Sequence, residues 1–215
     1  APLPENSLRL DAYCPEDIIK DKFELPEEFV SKPGKLIYLS LGSMGSIDVN
    51  LMKRITTILG KATHLRFIVS KGPRGDEYEL PSENCWGENF LPQTRIIPLV
   101  DLVITHGGNN TVTETFSFGK PMIVMPLFGD QYDNAQRLQE TGFAVRVDPY
   151  NFEDDELINA IEVLVGDDKL AVKLEDAARR IQAVDRHEEL AVVVEQLVAN
   201  AEYNACKQLT QIFAR

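Results

Sequence analysis

Apolar residues along this chain fall in short dense runs, and between the runs they recur at every third or fourth position. The first run, Leu36-Ile37-Tyr38-Leu39-Ser40-Leu41, follows the turn Lys32-Pro33-Gly34-Lys35 and predicts a strand covered on both faces. Further runs predict strands over residues 65–69, 84–90, 99–104, 121–125 and 143–147. Helical periodicity covers about residues 49–59, resumes at Thr111, and returns over 131–140, where Gly142 is a C-terminal stop. From Glu153 onward the pattern is helical, with Leu157, Ile158, Ile161, Leu164 and Val165 on one face; Leu190, Val193, Val194 and Leu197 continue it.

Strands that alternate with helices predict an α/β fold, a doubly wound parallel sheet of Rossmann-like type. Residues 1–30 are rich in proline and acid, lack a sustained period, and read as a linker or strap. Residues 31–185 then form the domain, and 186–215 add C-terminal helices.

Charge and cysteine content narrow the partners. A formal net charge of −12 and a pI near 4.7 exclude a nucleic-acid backbone or an anionic membrane surface, both of which need clustered Lys and Arg. The longest apolar run, Pro121 to Phe128, is too short to span a bilayer, and no signal peptide stands at Ala1. A start at Ala1 with Pro2 and Pro4 close behind reads as a piece cut at a linker. Cys14, Cys85 and Cys206 are odd in number and widely spaced, so neither a disulfide framework nor a zinc site is indicated. The expectation is a reducing compartment, the cytoplasm.

Chemistry concentrates at residues 105–114. A strand ends at His106, and Gly107 and Gly108 permit unusual backbone angles and let a ligand approach the main chain. Thr111 with Glu114 reads as the capping box that opens a helix, whose first-turn amides favour an anion such as phosphate. The same residues fit an ordinary strand-to-helix connection in which Glu114 only caps.

In an open parallel sheet, ligands bind outside the carboxyl ends of the strands. Those ends carry Gly42-Ser43-Met44-Gly45-Ser46, Phe90-Leu91-Pro92-Gln93, His106-Gly107-Gly108 and Pro126-Leu127-Phe128-Gly129-Asp130-Gln131. An aromatic face can stack a base, worth roughly 1–3 kcal/mol. Amides and hydroxyls can hold phosphates, and Asp130 with Gln131 can fix hydroxyls. Each residue also has a structural reading: Phe90 as core, Ser43 as a turn residue, Asp130 as the cap of the helix that starts at Gln131.

Taken in order, these elements resemble the sugar-donor signature of the UDP-dependent glycosyltransferases, inverting enzymes of the GT-B fold. The resemblance rests on Phe90-Leu91-Pro92-Gln93, on Thr105-His106-Gly107-Gly108-Asn109-Asn110-Thr111 with Glu114, on Gly119-Lys120-Pro121, and on Pro126, Asp130-Gln131 and Asn134. It covers about residues 31 to 185, one half of a GT-B fold. Phe90 stands where tryptophan is usual, which keeps a stacking face and removes an N–H donor. The interval from Phe90 to His106 is similar to that of soluble bacterial macrolide-type members.

The resemblance implies that Phe90 stacks on uracil, the Leu91 backbone reads its edge, and Gln93 and Glu114 meet the ribose. It implies a diphosphate held by Ser43, His106, Gly108, Asn109, Asn110 and Thr111, and sugar hydroxyls held by Asp130 and Gln131. The family's base is a histidine of the amino-terminal acceptor domain, usually steadied by an aspartate. His64 precedes a strand, His187 lies on a helix expected to be exposed, and His106 belongs to the phosphate site. No catalytic residue is therefore expected in this chain, and its implied partner is its own amino-terminal domain. The implied ligand is UDP-glucose or another UDP-hexose, used on a small lipophilic acceptor without cofactor or metal, since no Asp-x-Asp motif is present. Two alternatives remain at this point: a self-standing subunit of a two-component glycosyltransferase, and a dinucleotide-binding domain. The latter is disfavoured by the lack of G-x-G-x-x-G after the first strand.

Overall fold

The computed structural model describes residues 23–183, 188 and 190–200. Cys14, His187, Cys206, most of the 1–30 segment and the last fifteen positions, 201–215, lie outside the described residues. In chain order the elements are α1 (Glu27–Val30), β1 (Leu36–Ser40), α2 (Gly42–Gly45), α3 (Val49–Lys61), β2 (Arg66–Ser70), β3 (Cys85–Glu88) and α4 (Gln93–Ile96). They continue with β4 (Leu102–Thr105), α5 (Asn109–Ser117), β5 (Met122–Val124), α6 (Gln131–Glu140), β6 (Ala144–Arg146), α7 (Asp154–Val165) and α8 (Asp168–Gln182). Residues 190–200 are also helical.

The strands form one parallel sheet in the order β3-β2-β1-β4-β5-β6. Every residue of β1 and β4 is buried, as expected of a parallel sheet covered on both sides. Alternation along β1 feeds two cores. Ile37 and Leu39 pack with Met52, Ile55 and Leu59 of α3 and with Leu157 and Ile161 of α7. Leu36 and Tyr38 pack on the opposite face with Ile96, Ala135 and Leu138. Helix α3 starts where the Asp48 carboxylate accepts from the Leu51 amide at 3.0 Å, and α7 starts with a reciprocal Glu153–Glu156 capping box.

Of the segment read as a linker, the described part is docked. Phe29 is buried in the second core, and its ring and that of Phe23 lie 6.3 Å from Trp86. The Arg66 guanidinium donates to the carbonyls of Phe29, Val30 and Gly34 and pins this segment to β2.

Three local expectations change. The strand expected from Leu99 begins only at Leu102, because residues 97–99 form a 3-10 turn containing Pro98, which has no N–H for a ladder. Leu99 is left 54% exposed. The Gly42–Ser46 loop is the helical turn α2. Helix α5 begins at Asn109 with Gly108 as its N-cap, so Thr111 and Glu114 lie inside the helix and make no capping box.

Strand order β3-β2-β1-β4-β5-β6 reverses direction between β1 and β4, the topological switch point at which this fold opens a crevice. The last paired residues there are Ser40 and Thr105. His106 follows Thr105 directly, and Gly42 follows Ser40 after Leu41.

Candidate functional site

The His106 imidazole is wedged between two glycines. A Cβ at Gly42 would stand 2.8 Å from its Cε1, and a Cβ at Gly108 would stand 2.5 Å from its Nε2. Gly107, at φ +86°, has Val124 where its Cβ would go, at 2.6 Å. The glycine pair houses the imidazole and packs against β5. Thr105 Oγ1 accepts from the Gly107 amide at 3.2 Å and lies 3.4 Å from His106 Nδ1. Burial pushes the His106 pKa below the ordinary 6.5, with the Ser40 backbone and the Asp130 carboxylate pulling the other way. The ring is neutral at neutral pH.

Beside it, α5 begins without a side-chain cap. The N-terminal turn therefore presents Asn109 and Asn110, both exposed, with no carboxylate or hydroxyl from Gly108 to occupy the first amides. One turn further in, Gln93 Nε2 donates to Thr111 Oγ1 at 3.1 Å and to Glu114 Oε2 at 2.5 Å. This contact joins α4 to α5 and fixes the Glu114 carboxylate. Phe90, three positions before Gln93, is 68% exposed, so its ring is not core. Leu91 is half-buried against the second core. Ser43 is exposed on α2, next to the glycine that faces His106.

The loop before α6 supplies the opposite wall. Asp130 is exposed and its side chain does not cap α6. Gln131 is buried, and its Oε1 accepts from the Leu127 and Phe128 amides at 2.9 and 3.1 Å, so the Gln131 oxygen shapes the loop and its Nε2 is the group left to donate. Asn134 Nδ2 donates to the Gly107 carbonyl at 2.9 Å and to Asp130 Oδ2 at 3.3 Å.

The structure thus brings together Gln93 with Thr111 and Glu114, His106 with Gly42 and Gly108, and Asp130 with the His106 loop through Asn134. From sequence, Asn134 stands in the signature beside Asp130-Gln131 but receives no contact of its own, although its i,i+4 spacing from Asp130 on a helix is a readable signal. His64 is outside the site: it is exposed and pairs with Glu162 at 3.0 Å. Among the described residues no three His, Cys, Asp or Glu side chains stand close enough to hold a metal ion, and no helix is long and apolar enough to cross a membrane.

Residues 18–179 match the family model for UDP-glucoronosyl and UDP-glucosyl transferase, UDPGT. The chain belongs to this family. UDP-glucuronosyltransferase 1A6 of Oryctolagus cuniculus is 31% identical over 156 residues, covering 70% of this chain and 28% of that protein. The Homo sapiens 1A6 enzyme is 31% identical over 153 residues, again spanning 28% of its length. This UDPGT chain therefore covers little more than a quarter of the curated relatives it matches. Among solved structures, the glycotransferase of kitacinnamycin superposes with a TM-score of 0.73 at 24% identity, over 85% of this chain and 47% of that one. Spinosyn forosaminyltransferase SpnP gives 0.69 at 21% identity, over 82% and 47%. VinC, solved in complex with dTDP, gives 0.64 at 18% identity, over 80% and 44%. The fold is the Rossmann-like α/β half of a GT-B glycosyltransferase.

Proposed function

We propose that this chain is the UDP-sugar-binding domain of an inverting, cytoplasmic glycosyltransferase that moves a hexose to a small lipophilic acceptor. The observation that carries the reading is the Gln93 amide bound to both Thr111 and Glu114 of the helix that follows β4. It ties the Glu114 carboxylate, on a helix that starts without a side-chain cap, to the segment that carries the exposed Phe90. In this reading Phe90 stacks on uracil, the Leu91 backbone reads its edge, and Gln93 and Glu114 take the ribose hydroxyls. Ser43, His106, Gly108, Asn109, Asn110 and Thr111 surround the diphosphate, while Asp130 and the Gln131 Nε2 take the sugar.

Attack on the anomeric carbon needs a base on one face and stabilisation of the departing diphosphate on the other. Helix-end amides and the His106 ring supply the second without a metal ion. The base belongs to an amino-terminal acceptor domain, and the chain by itself transfers no sugar.

Calorimetry with UDP tests the reading: binding is expected with the same affinity in the presence and absence of Mg²⁺. Glu114→Ala is expected to weaken UDP by about tenfold or more while leaving inorganic diphosphate unchanged, whereas His106→Ala weakens both. No UDP binding under either condition sinks the binding role, and sugar transfer by the isolated chain sinks the division of labour.

A further inference from the structure

Asn134 sits one helical turn after Asp130 on α6 and is half-buried. Its two hydrogen-bond partners, the Gly107 carbonyl and the Asp130 carboxylate, are both acceptors. Only the amide nitrogen, with two hydrogens, can serve both at once, so the orientation of the amide is fixed by chemistry. The two partners belong to different walls of the site. Gly107 is part of the loop that carries His106 and enters α5, and Asp130 closes the loop that follows β5. The Asp130 side chain makes no cap bond at the start of α6, and among the described residues Asn134 is the donor seen on its carboxylate.

We propose that Asn134 is the positioning residue of this site, setting the Asp130 carboxylate against the hexose at a fixed distance from the His106 loop. It acts through Asp130 and touches no ligand. The proposal rests on the UDP-hexose reading given above. Its physical content is that diphosphate and sugar are held by two loops that one side chain makes into a single rigid unit, with the bridge mounted on a helix rather than on either loop.

The test is calorimetry on the full chain with UDP-glucose and UDP as probes, for the native protein, Asn134→Ala, Asp130→Ala and the double variant. Asn134→Ala is expected to lower UDP-glucose affinity about tenfold and to leave UDP within about twofold. The double variant is expected to bind UDP-glucose no more weakly than Asp130→Ala alone, because the two residues act in series. Equal losses for both ligands, or losses that multiply in the double variant, overturn the proposal. A second variant gives a readout that general loosening of the fold would not. Asn134→Asp sets a carboxylate against Asp130, so the pair holds a shared proton more tightly, and UDP-glucose affinity relative to the native chain should recover as pH falls. Should Asn134→Ala fail to fold, this profile decides alone, and a flat profile overturns the proposal. Failure of the native chain to bind UDP at all removes the functional reading and the inference together; intact native binding with equal losses removes only the inference.

Discussion

A methyl group at Gly108 would meet His106 Nε2 at 2.5 Å, although the backbone there, φ −61° and ψ 142°, is open to any residue. Glycine is required by the volume of the imidazole, not by the chain's conformation. Gly108→Ala should therefore push the ring aside, at a cost of about 1–3 kcal/mol for overpacking, and weaken UDP-glucose. Removing the ring should remove the obstacle: His106→Ala combined with Gly108→Ala is expected to be less destabilised than the sum of the single changes, by about 0.5–3 kcal/mol. Additive denaturation midpoints would show that the ring is not what excludes the methyl group. The sequence made the need for glycine legible at 107 and 108 but not its reason. Val124 reaches Gly107 only after β5 has been placed beside β4, and Gly42 closes on the other side of the His106 ring only once α2 is in place; no local pattern encodes those approaches.

Elements were more legible than their junctions. Helix α6 spans the residues its period predicts, Gln131–Glu140, because its N-terminal loop and its stop at Gly142 are both local signals. The start of α5 was misplaced for the opposite reason: Thr111 and Glu114 match a capping pattern, yet Gln93, eighteen and twenty-one positions earlier, engages both side chains from another element. The Asp48 cap of α3 tests the element scale without touching the site. Its carboxylate accepts from the Leu51 amide at 3.0 Å and from the Tyr150 hydroxyl at 3.2 Å. Asp48→Ala should cost about 0.5–2 kcal/mol of stability, and Asp48→Asn, which keeps an acceptor, should cost less. Urea unfolding at constant slope separates the two, with UDP-glucose affinity unchanged in both. Equal losses for Ala and Asn would mean that the cap bond contributes nothing.

At the scale of the whole molecule, alternating strands and helices disclosed a parallel sheet but not its order, which depends on which way each crossover turns. That order matters, since it alone puts Ser40 and Thr105 side by side at the switch point. The net charge of −12 repels an anionic ligand at long range, so under the proposed function affinity comes from the local field of the α5 start and from His106. The consequence is a proton linkage whose sign changes on binding. In the free chain, burial holds the His106 pKa below 6.5. The unfolded chain then binds the proton that the folded ring refuses, and this group's contribution to stability falls as pH drops through 6.5. A diphosphate against the ring favours the imidazolium instead, so the complex takes up a proton and binding strengthens over the same window. UDP-glucose is the suitable probe because its diphosphate, esterified at both ends, has no ionisation of its own there. At about a hundredfold excess over Kd the ligand adds about 2.7 kcal/mol, which for a chain of this size raises Tm by roughly 5–11 °C. The rise should be larger at about pH 6 than at about pH 8, and His106→Gln should abolish the difference while lowering the rise at both. A rise in the native chain that is independent of pH would place the diphosphate out of reach of the ring.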